Sequence, residues 1–193
     1  MLVSGRSFRP TSLWYSERSP LGYAGIMRLL QSYLSYNNLT SNLMPQSLSI
    51  NLVHIIFSTK NRSPFLDKGT RERLFPYMAQ LIRDKGSECY RIGGVEDHVH
   101  LAIRLSKTAT LSKTISEAKT GTSRWLKETS PTLSEFAWQE GYGAFSISPK
   151  DLDAVIRYID DQEEHHKKVG FQDEFRKFLK QYGLDYDENY VWG

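Results

Sequence analysis

Glu96-Asp97-His98-Val99-His100-Leu101-Ala102-Ile103 places two imidazoles one residue apart inside an otherwise apolar run. Side chains alternate faces along a strand, so His98 and His100 point one way while Val99 and Leu101 enter a core. Two readings fit the pair. It is either the polar outer face of a half-exposed strand, or two ligands of one divalent metal, the commonest chemical use of neutral imidazole.

Working outward, elements alternate clearly from Asn51 onward. Leu52 to Ser58 reads as a strand. Asp67 to Lys85 reads as a helix with Leu74, Met78, Leu81 and Ile82 on one side, and Pro76 inside it marks a kink or a later start. Glu88 to Gly93 and Asp97 to Leu105 form a hairpin around Gly94-Val95-Glu96. A second helix, about Ala109 to Glu128, turns Leu111, Ile115, Ala118, Thr122, Trp125 and Leu126 inward. Gly143 to Ser148 is a fourth strand, Pro149 and Asp151 open a third helix through about Lys168, and Asp173 to Tyr182 is a terminal helix. The order βαββαβ followed by helices is an α+β, ferredoxin-like arrangement: an antiparallel sheet with helices on one face and additional C-terminal helices.

Composition changes near residue 44. Residues 1–43 are rich in Ser, Asn, Leu, Tyr and Arg, with a short helical pattern only in Gly25 to Tyr36, and read as an appendage that is disordered or part helical. Met44 stands just before the first strand, so 44–193 is the expected folded unit. The 193 residues suit one domain plus an appendage, and a net charge of +3 does not by itself announce nucleic acid. A single cysteine, Cys89, excludes an intrachain disulfide framework and fits a reducing cytoplasm. No stretch approaches the ~18 apolar residues of a membrane span, and no secretion signal is evident.

In the third helix Leu152, Val155, Ile156 and Ile159 form the apolar set, while Tyr158 and Gln162 lie one turn apart on a shared face. Packed beside the sheet, that face presents a phenol and an amide oxygen toward the histidines. Taken alone, Tyr158 also fits ordinary packing, since the chain has eleven tyrosines.

From Met44 onward four stretches together resemble the single-tyrosine HUH transposases of bacterial insertion sequences: Val53-His54-Ile55-Ile56-Phe57-Ser58-Thr59-Lys60-Asn61-Arg62, Asp97-His98-Val99-His100, Trp138-Gln139-Glu140-Gly141-Tyr142-Gly143-Ala144-Phe145, and Tyr158-Ile159-Asp160-Asp161-Gln162. The resemblance implies that Tyr158 is the nucleophile, attacking single-stranded DNA to form a 5′-phosphotyrosine and a free 3′-hydroxyl. It implies a divalent metal, Mg2+ or Mn2+, on His98, His100 and Gln162, and recognition of DNA hairpins at element ends. It also implies a homodimer, with Tyr158 of one chain serving His98 and His100 of the other, and a cytoplasmic, nucleoid-associated location.

Among the basic residues, Lys60, Arg62, Lys119 and Arg124 are candidates for phosphate contact, a role that solvated surface charge also explains. His54 reads as a structural histidine; Asp97 faces away from the pair in an ideal strand and reads as a hairpin-end residue, with support of the metal-binding histidines as the alternative. His165, His166 and Lys167 fall at a helix C-terminus, where positive charge complements the dipole, and read as that rather than as ligands. Tyr142, Phe145, Trp138 and Trp125 read as packing. Two other functions stay open: a domesticated nicking enzyme similar to the REP-associated tyrosine transposases, and a binding-only nucleic-acid module of this topology.

Overall fold

The structure, a computed structural model, describes residues 48–189, 191 and 192 and, upstream, Arg28, Gln31 and Ser32. The chain divides into two units, Met1–Leu48 and Ser49–Gly193. Arg28, Gln31 and Ser32 are helical and exposed, within the Gly25 to Tyr36 pattern, and the rest of the appendage lies outside the described residues.

The second unit runs β1 (Leu52–Ser58), α1 (Lys68–Asp84), β2 (Glu88–Gly94), β3 (His98–Arg104), α2 (Leu111–Thr129), β4 (Gly143–Ser146), α3 (Leu152–Asp160), α4 (Gln162–His166) and α5 (Phe171–Gln181). The strands form one antiparallel sheet in the order β2-β3-β1-β4, the ferredoxin-like order expected from the sequence. β1 and β3 lie at its centre, with Ile56 opposite His100 and Ser58 opposite His98.

Strand alternation divides the side chains between two cores. Ile55, Phe57, Val99, Leu101 and Ile103 face α1 and α2, whose Leu74, Met78, Ile82, Ile115, Ala118 and Leu126 complete the larger cluster. The opposite face carries Ile56 and Phe145 under Phe171, Phe175 and Leu179 of α5, and Leu52, Ala102 and Ile147 under Ile159 of α3. The C-terminal helices thus cover the face that displays the histidines. No helix among the described residues is long and apolar enough to cross a membrane.

The capping residues act as their types suggest. The Asp67 carboxylate accepts from the Thr70 amide at 2.7 Å and starts α1, which runs through Pro76 without interruption. The expected single helix from 151 to 168 breaks instead. Asp161 (φ −88°, ψ 10°) ends α3, and α4 restarts at once with Glu163 and Glu164 in its first turn and His165 and His166 in its last, the charge order that suits a helix dipole. Buried Arg71 of α1 holds the new segment, donating to Glu163 Oε1 at 2.6 Å and to the Leu66 carbonyl at 2.6 Å.

α3 docks on β2 by direct backbone approach. A Cβ at Gly93 would stand 2.4 Å from the Ile159 carbonyl oxygen, so only glycine permits this distance. Gly93→Ala is expected to push α3 outward and destabilise the domain by about 1–3 kcal/mol, read as a lower urea midpoint. A midpoint equal to wild type would show that α3 is not held by this contact.

Candidate metal centre and nucleophile

β3 delivers His98 and His100 to the face beneath α3, α4 and α5, where both are fully buried. Each ring is oriented through its Nδ1. His98 Nδ1 lies 2.7 Å from Asp97 Oδ1, and His100 Nδ1 lies 3.0 Å from Nε2 of His54, its diagonal neighbour across the β1–β3 pair. In the tautomers that leave both Nε2 atoms free for a ligand, each Nδ1 is the donor. Asp97 and His54, read above as a hairpin end and a structural histidine, therefore orient the pair. Burial, and then the neighbouring His100, lower His54 to about 3; burial lowers His100 to about 4, so both rings are neutral at ordinary pH. Burial acts to raise the Asp97 carboxyl, but the hydrogen bond with His98 and the positive potential of His98, Arg62 and His166 together outweigh it, and the group sits below its ordinary value.

Tyr158 of α3 and Gln162 at the start of α4 reach the same place, as their spacing suggests. The Tyr158 ring centre is 5.9 Å from that of His100 in the same chain. Gln162 is 1% exposed, its Nε2 donating to the Tyr158 carbonyl at 3.4 Å and its Oε1 without a partner. Sharing between two chains is not needed to bring these groups together.

Two further residues occupy the centre. Glu174 of α5, 2% exposed, accepts a hydrogen bond from the Tyr158 hydroxyl through Oε1. Its Oε2 lies 3.3 Å from His166 Nε2, 3.5 Å from His100 Nε2 and 3.9 Å from His98 Nε2. The reading of His166 as a helix-end charge is thus corrected: the break at Asp161 redirects α4, and His166 turns into the cluster. His165 also turns inward, its Nε2 3.5 Å from Glu174 Oε1. Burial opposes charge on Glu174, but the facing imidazoles of His100 and His166 together with the Tyr158 hydroxyl hold it well below the usual carboxylate range. Burial and then the Glu174 charge push the Tyr158 phenol above its ordinary value. Glu174 had a signal in the sequence: it lies in the apolar stripe Phe171, Phe175 and Phe178, where a carboxylate requires partners. His166 had none, because the break was not foreseen.

The centre fits a divalent metal. His98 Nε2, His100 Nε2, His166 Nε2, Gln162 Oε1 and Glu174 Oε2 are all buried without a hydrogen-bond partner. A buried polar atom left unpaired is costly, and several converging on one point are what an ion relieves.

The basic candidates separate. Lys119 donates to the carbonyls of Gln139, Glu140 and Gly141 at 3.0, 3.3 and 2.7 Å and lies over the Phe57 ring, so its three donors fix the loop before β4. Burial lowers it to about 8. Arg124 is exposed on α2, and Lys60 is exposed in the turn after β1. Arg62, in that same turn, lines a cleft of about 500 Å³ with Asp97 and His166. A second cleft, about 420 Å³, exposes Tyr158 beside His165, Lys177 and Phe178. Trp138 and Phe145 are packing residues, Trp125 stacks on Tyr77, and Tyr142 is exposed beside Lys119.

Residues 48–162 match the family described as Transposase IS200 like. The chain belongs to this family of DNA-processing enzymes. No curated protein matches it. Among solved structures it is similar to a candidate transposase from Deinococcus radiodurans R1, 18% identical over 62% of this chain and 95% of that one, with a TM-score of 0.50, a likeness of fold. It is also similar to a REP-associated tyrosine transposase bound to a REP hairpin, 17% identical over 66% of this chain and 76% of that one, with a TM-score of 0.49.

The orientation of His100 by His54 has a measurable consequence. His54→Leu is expected to weaken divalent-metal binding by about 10- to 100-fold with the circular dichroism spectrum retained. Undiminished affinity would show that His100 needs no partner on Nδ1.

Proposed function

We propose that this chain is a DNA transposase that nicks and rejoins single-stranded DNA through Tyr158. The observation that carries the reading is the phenol of Tyr158 beside His100, bonded to a buried, ionised carboxylate that faces both His98 and His100, in a chain of the transposase family. Tyr158 Oη attacks the phosphorus of a phosphodiester as the bond to the 3′ oxygen breaks. The product is a 5′-phosphotyrosine, and the departing oxygen takes a proton to become a 3′-hydroxyl. Glu174 Oε1, bonded to the hydroxyl, relays the phenol proton, which passes on through water to the departing 3′ oxygen, so the protons balance. The phosphotyrosine bond keeps the energy of the bond broken, so a later 3′-hydroxyl attacks it and restores the tyrosine. A divalent ion, Mg2+ or Mn2+ by the sequence resemblance, on His98, His100 and Gln162 supplies positive charge for a nonbridging phosphate oxygen when bound.

The phosphate backbone approaches through the two clefts, where Arg62 and Lys177 offer charge without base selectivity. Lys60 and Arg124, both exposed, remain candidates for the flanking strand, and Lys119 acts indirectly through the loop it fixes. Hairpin ends as substrate and a nucleoid location follow from the sequence resemblance. A folded unit beginning at Met44 belongs to the same proposal.

The test is covalent capture. Incubated with Mn2+ and a single-stranded oligonucleotide carrying an imperfect palindrome, the wild-type chain should yield a protein–DNA adduct on a denaturing gel, and Tyr158→Phe none. An adduct mapped by mass spectrometry to Tyr142 or Tyr182 would remove Tyr158 from the role.

Strand exchange needs two covalent ends, and one tyrosine per chain supplies one, so the active species is a homodimer. The geometry favours a site completed within each chain, in place of the shared site expected from the sequence. A mixture of Tyr158→Phe with the His98→Ala, His100→Ala double variant should then stay inactive. Recovery of cleavage would establish sharing, and a monomer by light scattering would dispose of the dimer.

A further inference from the structure

Three imidazoles in this centre share one construction. His98 Nδ1 bonds to Asp97 Oδ1, His100 Nδ1 to His54, and His166 Nδ1 to the Val169 carbonyl at 2.8 Å. A carbonyl only accepts, so His166 carries its proton on Nδ1, and the ionised Asp97 imposes the same on His98. In all three rings the other nitrogen, Nε2, is buried and unpartnered, as is Oε2 of Glu174. One partner on Nδ1 and a free Nε2 aimed at a common point is how proteins prepare imidazole for a metal.

The spacings agree. Metal–ligand bonds of ~2.0–2.1 Å in a tetrahedron separate neighbouring donor atoms by ~3.3 Å. Glu174 Oε2 stands 3.3, 3.5 and 3.9 Å from the Nε2 atoms of His166, His100 and His98, and all four atoms lie within 4.8 Å of one another. Two donors come from β3, inside the stretch that matches the family, and two from α4 and α5 beyond residue 162.

We propose that the metal is held by His98, His100, His166 and Glu174, a three-imidazole, one-carboxylate set that selects a transition-metal dication over Mg2+. The inference deepens the reading above by enlarging the ligand set and narrowing the metal. Imidazole-rich sites suit Zn2+, Co2+, Fe2+ and Mn2+, whereas Mg2+ prefers an octahedron of oxygens and gives up its water reluctantly. Glu174 then links the two functional groups of the site, with Oε2 on the metal and Oε1 on the Tyr158 hydroxyl. Gln162 keeps its unpartnered oxygen beside the ion as a further donor.

The test needs no DNA, so a chain that never cleaves still reports on its ligands. The full chain, freed of metal by chelator, is titrated with Co2+ and read by its visible absorption. A visible band of four- or five-coordinate Co2+ is expected, abolished by stoichiometric Zn2+ and resistant to a ~100-fold excess of Mg2+. Glu174→Gln and His166→Ala should each weaken Co2+ binding by at least about tenfold. X-ray absorption at the zinc edge of the wild-type chain, which depends on no variant, should count three imidazoles. A count of two, displacement of Co2+ by Mg2+, or unchanged affinity in both variants would overturn the proposal.

Discussion

A carboxylate at 2% exposure survives only where its charge is compensated, and Glu174 takes hydrogen bonds from Tyr158 and Gln162 on Oε1 while its Oε2 is left for a cation. The Tyr158 hydroxyl bonds to it, and His98, His100, His165 and His166 lie against its two oxygens. Four segments that are distant in sequence, β3, α3, α4 and α5, converge there. Phe171 and Phe175, on the same helix as Glu174, pack on Ile56 and Phe145 of the sheet and hold that helix over the site. The helices of this face are thus arranged about one charge as much as about a core.

The division of labour between the two faces of the sheet follows from strand parity. Val99, Leu101 and Ile103 anchor β3 in the larger core, which leaves His98 and His100 free of any packing duty except toward the site. β1 repeats the pattern, with Ile55 and Phe57 facing α1 and α2 while His54 faces His100. A one-residue slip in the β1–β3 register would turn the imidazoles into the larger core and Val99, Leu101 and Ile103 toward the site. The apolar cluster therefore sets the aim of the histidines.

Much of this was legible because it depends on local pattern. Alternation gave β1 and β3 and the common direction of the two histidines; helical spacing put Tyr158 and Gln162 on one face; the starts read at Asp67 and about Ala109 fall within a residue or two of α1 and α2. What escaped depends on partners distant in sequence. The break at Asp161 follows no proline or glycine, and Arg71, which holds the segment after it, lies in α1. Lys119 looked like a surface cation because its three carbonyl partners sit twenty residues later in a loop with no periodicity. Glu174 was visible as an acid on an apolar stripe, but its meaning required knowing which face that stripe would cover.

The seam at Gln162 has a bearing on how such proteins differ from one another. Residues 48–162 are the part by which the family is recognised, yet α5, which carries Glu174, lies wholly beyond it. Two chains alike throughout the recognised part can hold different groups against the same tyrosine, since that choice is made by whatever sequence comes next. On the function proposed above, a different terminal helix would change the groups that face Tyr158 while β3, and the register that aims it, stay as they are.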